Sequence, residues 1–246
     1  FQVDNTLRKA INNGEVMFID QHLSETVEQM RNLQLKKPDV AIIEAIAITE
    51  DGGIIPTTSV GNSASFAIFA EKVIVEINTN LSPAFEGLHD IYIPSYRPTR
   101  QAIPLTQVDE RIGTHAINID PSKIVGIVIN NEYHDSPSTV TEPDDETQGI
   151  ANHLINFFEQ EVAAGRLPKD LGPLQAGIGS IANAVLTGLK DSNFEDLVMY
   201  SEVLQDCTFE LIDAGKMKFA SGSSITLSAK YGEKVFNNLE AYKDKL

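Results

Sequence analysis

A chain of 246 residues, 42% of them hydrophobic, is long enough for one large α/β domain or two modest ones. Its formal net charge of -16 argues against nucleic acid or an anionic membrane as the main partner, since either favours a basic face, but leaves room for a small anionic ligand held by backbone amides. The single cysteine, Cys207, excludes an intramolecular disulfide and offers no thiol cluster for zinc or iron–sulfur, which suits a reducing cytoplasm.

The apolar runs are too short to span a membrane and no basic, apolar leader is visible, so a soluble cytoplasmic protein without a membrane partner is expected. Both ends read as cut. The chain opens on Phe1-Gln2-Val3-Asp4 without an initiator Met and stops at Lys243-Asp244-Lys245-Leu246, inside what reads as an amphipathic helix.

In chain order, the pattern predicts a short strand at Val16–Asp20, then a helix at Ser24–Leu33 with Ser24 as N-cap and Val27, Met30 and Leu33 on one face. A strand follows at Val40–Ile48, then the turn Glu50-Asp51-Gly52-Gly53. Ser59-Val60-Gly61-Asn62-Ser63 leads into an apolar helix to about Ala70, and Val73–Ile77 is another strand. Nearly continuous apolar strands alternating with helices predict a parallel or mixed sheet covered on both faces.

Between Asn78 and Thr106, prolines and aromatics interrupt any periodic element and predict an irregular excursion. Ile124–Asn130 restores a buried strand, and the polar stretch Asn131–Pro143 reads as a linker holding the domain boundary, with residues 1–135 before it and 136–246 after. The second half opens on Asp144-Asp145-Glu146 at the front of a long helix ending at Gly165, with Ile150, Leu154, Phe157 and Phe158 as its apolar face. Leu174–Ile178 is expected to be a strand, Gly179–Leu189 a small-residue helix, Leu197–Val203 a strand, and Phe209–Ala214 a helix capped by Gly215.

Gln175-Ala176-Gly177-Ile178-Gly179-Ser180 therefore reads as strand, tight glycine turn and helix start, where free amides meet open space. Close helix-to-strand packing without a ligand explains the glycines equally well. The segment is no dinucleotide fingerprint, lacking the third glycine and a ribose-binding acid, and no P-loop, lacking the lysine. One β-α-β unit later, Glu202 ends the β-prone run Met199-Tyr200-Ser201-Glu202-Val203. Alone it reads as a solvated strand residue, but ligands of open α/β sheets sit at the carboxyl ends of strands, where a carboxylate and a free amide could meet one reacting carbonyl.

Gln175 to Val185, Tyr200-Ser201-Glu202-Val203-Leu204-Gln205-Asp206 and Leu211-Ile212-Asp213-Ala214-Gly215-Lys216 resemble the acetyl-CoA hydrolase/transferase family of class I CoA-transferases. Ile42-Ile43-Glu44-Ala45, Ser59 to Ser63, and Pro94 with Arg97 resemble the same family's first domain. The resemblance implies two open α/β CoA-transferase-like domains, with the chain covering most of the first and the front of the second. It implies that Glu202 is the nucleophile, that the Ile178 amide serves an oxyanion hole, and that Gly177, Ile178, Gly179 and Ser180 contact CoA. Val60, Gly61 and Asn62 would wall the acyl pocket, although a plain helix N-cap is an equal reading there. Coenzyme A would be substrate and covalent intermediate, with no permanently bound cofactor. The partners would be acyl-CoA and short carboxylates, and a homodimer is allowed.

The implied reaction is CoA transfer through a glutamyl-CoA thioester on Glu202; hydrolysis of acyl-CoA and a non-catalytic binding module on the same fold are the alternatives. The family's second glycine-rich loop has no counterpart between Lys216 and Leu246, where Ser221-Gly222-Ser223-Ser224 reads only as small and flexible, so the isolated chain is expected to be inactive. The histidines His22, His89, His115, His134 and His153 lack metal-ligand spacing, so no metal is expected. No Gly-x-Ser-x-Gly elbow is present, Cys207 has no cationic neighbour, and Arg97 and Arg100 rank low as anion ligands.

Overall fold

The structure is a computed structural model describing residues 4–131 and 144–246, and the chain divides into two compact units, Phe1–Lys37 and Pro38–Leu246. In the first, helix α1 (Asn5–Asn12) starts where the Leu7 amide donates to Asp4 Oδ1 at 2.6 Å. Its carbonyls are closed by Gly14, whose φ of 73° only glycine adopts freely. Helix α2 (Leu23–Arg31) begins one residue earlier than its predicted cap, so His22 rather than Ser24 holds the N-cap position. Val16–Asp20 is not a strand: Met17 is 88% exposed, and among the described residues the segment has no ladder partner. Apolar content alone supplies neither a hydrogen-bonded neighbour nor a covered face.

The second unit holds two sheets. Strands β1 (Val40–Ile48), β2 (Ile54–Pro56), β3 (Lys72–Asn78) and β4 (Ile124–Asn130) lie in the order β2-β1-β3-β4. β1, β3 and β4 are parallel, while β2 returns antiparallel to β1 after the Glu50–Gly53 turn. Helix α3 (Ser63–Phe69) connects β2 to β3, and Ala64 and Ala67 pack it against Ala41, Ile43, Ala45, Val73 and Val75. Alternate residues of β1 and β3 are buried, as one covered face requires. The other face is not covered as predicted: Ile42 is 67% exposed, and the edge strand β4 exposes Val128 together with Ile127 and Ile129 of the core-side row. Among the described residues β4 is therefore the sheet's edge and not a strand buried on both sides. The excursion after β3 is irregular as expected, anchored by the buried Phe85. The expected linker and the boundary at 135/136 lie outside the described residues apart from Asn131.

Helix α4 (Asp145–Ala163) is capped by Asp144, whose carboxylate accepts from the Thr147 amide and hydroxyl; these bonds hold the Asp144 carboxyl below its usual range. Of the predicted face only Phe158 packs inward, joined by Thr147, Ala151, Ile155 and Val162, while Phe157 stays 51% exposed. Strands β5 (Pro173–Leu174), β6 (Leu197–Leu204) and β7 (Met217–Ile225) form a parallel sheet in that order. Between them run α5 (Ser180–Asp191) and α6 (Asp206–Asp213), with Gly215 closing α6 as expected, and α7 (Ala229–Phe236) follows β7. Leu186, Leu189, Met199, Phe209, Leu211 and Met217 form the core around this sheet.

Three expectations change here. β5 keeps only Leu174 of its predicted residues and adds Pro173, so Gln175–Ile178 leaves the ladder. Ser221–Ser224 is not a flexible stretch but part of β7, with Ser221, Gly222 and Ser224 paired to Tyr200, Ser201 and Val203 of β6. The C-terminus is a 3-10 turn, Lys243–Lys245, with Tyr242 and Leu246 buried, and not the interior of an amphipathic helix. Among the described residues no helix is long and apolar enough to cross a membrane.

Candidate active site

Glu202 lies on the central strand β6, two residues before its end, with Met199 and Leu204 buried on either side and its own side chain exposed. Its carbonyl accepts from Ser223 Oγ at 2.8 Å, a bond from the neighbouring strand β7 that fixes the backbone of the glutamate. Gly222 opposes Ser201 in the ladder, and a Cβ there would lie 2.9 Å from Leu204 Cγ, so the close approach of β7 to the end of β6 needs a residue without a side chain.

The glycine turn sits beside this strand end because side chains on β6 and just after it replace the missing ladder. Pro173 pairs with Val198 and Leu174 with Met199, so Ala176 would come opposite Ser201 if β5 continued. Instead Ser201 Oγ donates to the Ala176 carbonyl at 3.0 Å and accepts from the Ala176 amide at 3.4 Å. Gln205 Nε2 donates to the Gly177 carbonyl at 3.4 Å. Gly177 and Gly179 face open space: a Cβ at either would meet nothing within 4 Å. Gly179, at φ 133°, is the N-cap of α5 without a capping side chain, and Ile178 is 58% exposed. The turn that carries Gly177, Ile178, Gly179 and Ser180 is thus tied to the strand end that carries Glu202 by Ser201 and Gln205, two residues the sequence reading did not single out.

The Val60-Gly61-Asn62 segment reaches the same end of the sheet by another route. Ser59 bridges to Ser224, the Val60 amide donates to the Ser223 carbonyl at 3.0 Å, and the Ile225 amide donates to the Thr58 carbonyl at 2.8 Å. Ser223 therefore links this loop to the backbone of Glu202. Asn62 holds the N-cap position of α3, but its side chain makes no capping bond, so the plain N-cap reading lacks its hydrogen bond.

A polar cluster anchors the loop from below. Glu44 accepts from Thr57 Oγ1 at 2.7 Å and from Asn78 Nδ2 at 2.9 Å, while His89 Nε2 lies 2.9 Å from the Thr57 carbonyl. Because that partner is a carbonyl, Nε2 carries the proton; His89 Nδ1 is buried without a partner among the described residues, and desolvation lowers the pKa of the imidazole. The sequence reading named Glu44 only within the family-like segment Ile42-Ile43-Glu44-Ala45 and gave the cluster no role. Cys207, 6% exposed, has its thiol pushed up to about 12 by burial, as a structural cysteine should. Arg97, in the turn at 97–99, and Arg100 just after it are both exposed.

The chain matches known proteins along its whole length. The model of the acetyl-CoA hydrolase/transferase N-terminal domain matches residues 1–129, a span that stops short of Glu202. The chain is 45% identical to an acetyl-CoA hydrolase of Schizosaccharomyces pombe, over 100% of this chain and 48% of the relative. It is 42% identical to a succinyl-CoA:acetate CoA-transferase of Clostridium kluyveri, over 100% of this chain and 46% of that protein. In fold it is similar to the crystal structure of 4-hydroxybutyrate CoA-transferase from Porphyromonas gingivalis, with a TM-score of 0.61 and 22% identity, covering 97% of this chain and 52% of the other. The chain spans about half the length of the curated relatives it matches. On the match over residues 1–129, the chain belongs to the acetyl-CoA hydrolase/transferase family.

Proposed function

We propose that the protein carrying this chain transfers CoA between an acyl-CoA and a short carboxylate such as acetate or succinate, with Glu202 as nucleophile. The observation that carries this reading is the exposed Glu202 at the end of β6, beside a glycine turn held by Ser201 and Gln205. A Glu202 oxygen attacks the thioester carbonyl, the carbon–sulfur bond breaks, and CoA leaves as thiolate, giving a glutamyl–acyl anhydride. The thiolate then attacks the glutamyl carbonyl, releasing the acyl group as a carboxylate and leaving a glutamyl-CoA thioester. An incoming carboxylate reverses both steps, so thioester energy is conserved. The Ile178 amide receives the developing oxyanion, a contribution of about 3 kcal/mol per donor in acyl transfer.

Acyl-CoA hydrolysis is the second reading, favoured by the hydrolase names of relatives such as that of Schizosaccharomyces pombe. It uses the same intermediates and differs only in letting water take the glutamyl carbonyl. In the wider reading Gly177, Gly179 and Ser180 contact CoA, and Val60, Gly61 and Asn62 shape the acyl pocket. CoA is substrate and transient covalent partner, two domains meet near residue 135, and the protein works in the cytoplasm. The 246 residues alone are inactive, a view supported by their spanning about half of each relative.

The test is trapping in a protein of the relatives' full length. After incubation with acetyl-CoA, borohydride reduces a glutamyl thioester to the alcohol, which mass spectrometry locates. Modification of Glu202 is expected, together with loss of turnover in Glu202→Ala. An unmodified Glu202 with full activity in that variant would end the reading and leave a binding module or another chemistry. Exchange of labelled acetate into acetyl-CoA, set against release of free thiol, separates transferase from hydrolase.

A further inference from the structure

We infer that Gln205 is a positioning residue that sets the direction of the Ile178 amide. The inference rests on the proposed role of Glu202 and adds a group that this role does not contain. Gln205 has its backbone fixed on both sides: the Leu204 carbonyl accepts from Thr226, and its own carbonyl accepts from Thr208 in the first turn of α6. It occupies the N-cap position of α6, where a side chain would ordinarily cap its own helix, yet it makes no capping bond. Its amide nitrogen reaches back to the Gly177 carbonyl instead, at 3.4 Å.

That carbonyl and the Ile178 N–H belong to one peptide unit. A trans peptide is planar, with its C=O and N–H pointing in opposite directions, so a donor that holds the Gly177 oxygen on the Gln205 side turns the Ile178 N–H away from it. The unit joins Gly177, which has open space around it and no side chain, to Ile178, whose β-branched side chain keeps φ negative, so the plane cannot turn over but can tilt through the free ψ of Gly177. Ser201 fixes only the preceding residue, Ala176. Gln205 is thus the group that fixes the tilt of the plane. The contact is at the long end of the hydrogen-bond range, as such contacts are before a substrate tightens the site.

The chemistry requires a neutral donor. An acceptor of the same shape would repel the Gly177 oxygen and tilt the plane, which takes the Ile178 amide off the line to the developing oxyanion. This ordering separates orientation from packing. In a protein of the relatives' full length, Gln205→Ala and the isosteric Gln205→Glu are compared by the single-turnover rate of thioester formation from acetyl-CoA. Rates are normalised to the number of borohydride-trappable Glu202 sites, alongside the carboxylate KM and Tm.

Gln205→Ala is expected to slow thioester formation roughly 10- to 100-fold, part of the 10²- to 10³-fold a lost oxyanion donor costs, and Gln205→Glu to slow it further. Tm and carboxylate KM should stay near the parent. Rates per trapped site within about two-fold of the parent in both variants, or Gln205→Glu faster than Gln205→Ala, would overturn the inference, the second being the order packing predicts. Should Glu202→Ala remain active with nothing trapped, both readings fall; a trapped Glu202 with unimpaired Gln205 variants removes this one alone.

Discussion

Glu202 and His89 show how differently two titratable side chains depend on their surroundings. The glutamate carboxylate is exposed, and what the protein fixes is its backbone, through Ser223 and the β6–β7 ladder. Its reach is therefore set by side-chain length. Glu202→Asp should lose about 10²-fold or more in turnover, because shortening by one methylene moves the carboxylate by more than 1 Å from a near-attack position. Steady-state kinetics with an unchanged circular-dichroism spectrum checks this, and an aspartate variant within a few-fold of the parent would sink the positioned-nucleophile reading. His89, by contrast, donates to Thr57 and keeps Nδ1 buried, so protonation would place a cation where no acceptor waits. Its folded pKa lies below the ordinary value of about 6.5, so the unfolded chain binds the proton more readily. Stability from this residue is fully present above about pH 6.5 and is lost as pH falls from there toward the folded pKa. Tm measured between pH 7.5 and 5 should fall more steeply for the parent than for His89→Gln, and equal slopes would show that His89 does not titrate in this window. Glu202 was legible in the sequence through its segment's family resemblance. Ser201, Gln205 and Ser223 were not, because their roles depend on which backbone atoms the fold brings within reach.

At the level of elements, legibility followed the apolar pattern. β1, β3 and β6 carry alternating or continuous apolar residues and were read within about two residues at their ends. β7 carries Ser-Gly-Ser-Ser in its second half and looked small and flexible, yet the ladder with β6 needs only backbone groups there. β5 failed the opposite way: its residues suit a strand, but the Ser201 hydroxyl takes the Ala176 backbone and ends the ladder early. The turn that results depends on Gly179, whose φ of 133° side-chain-bearing residues rarely adopt although open space surrounds it. Gly179→Ala should therefore act through backbone strain of about 1–3 kcal/mol rather than a clash. The protein can relieve that strain by rotating the turn, so Tm should drop by only a few degrees while the thioester-forming rate falls at least ten-fold. A large Tm loss with normal turnover per folded molecule would mean that the turn serves folding and not the site.

Over the whole molecule, two opposing surface terms set how the 246-residue chain behaves on its own. The formal net charge of -16 keeps copies apart by electrostatic repulsion. Against this, β4 is an edge strand that leaves Val125, Ile127, Val128 and Ile129 between 51% and 67% exposed, with Ile42 at 67% on β1. Such an edge offers unpaired backbone groups beside apolar side chains, the combination that promotes pairing between copies. The sequence misread this strand because a continuous apolar run is the usual mark of burial, and nothing within a run says whether a second strand will lie beyond it. Salt separates the two terms. Raising ionic strength from about 0.01 to 0.5 M shortens the screening length from about 30 Å to under 10 Å and weakens the repulsion, but leaves the apolar edge unchanged. The isolated chain should therefore sediment as a monomer at low salt and self-associate as salt rises. Ile127→Lys together with Ile129→Lys should suppress that association, because an edge lysine must be desolvated before a second strand can pair there. Sedimentation velocity across a salt series decides the matter: association that weakens with salt would point to ion pairs between copies, and association untouched by the double lysine variant would move the contact away from β4.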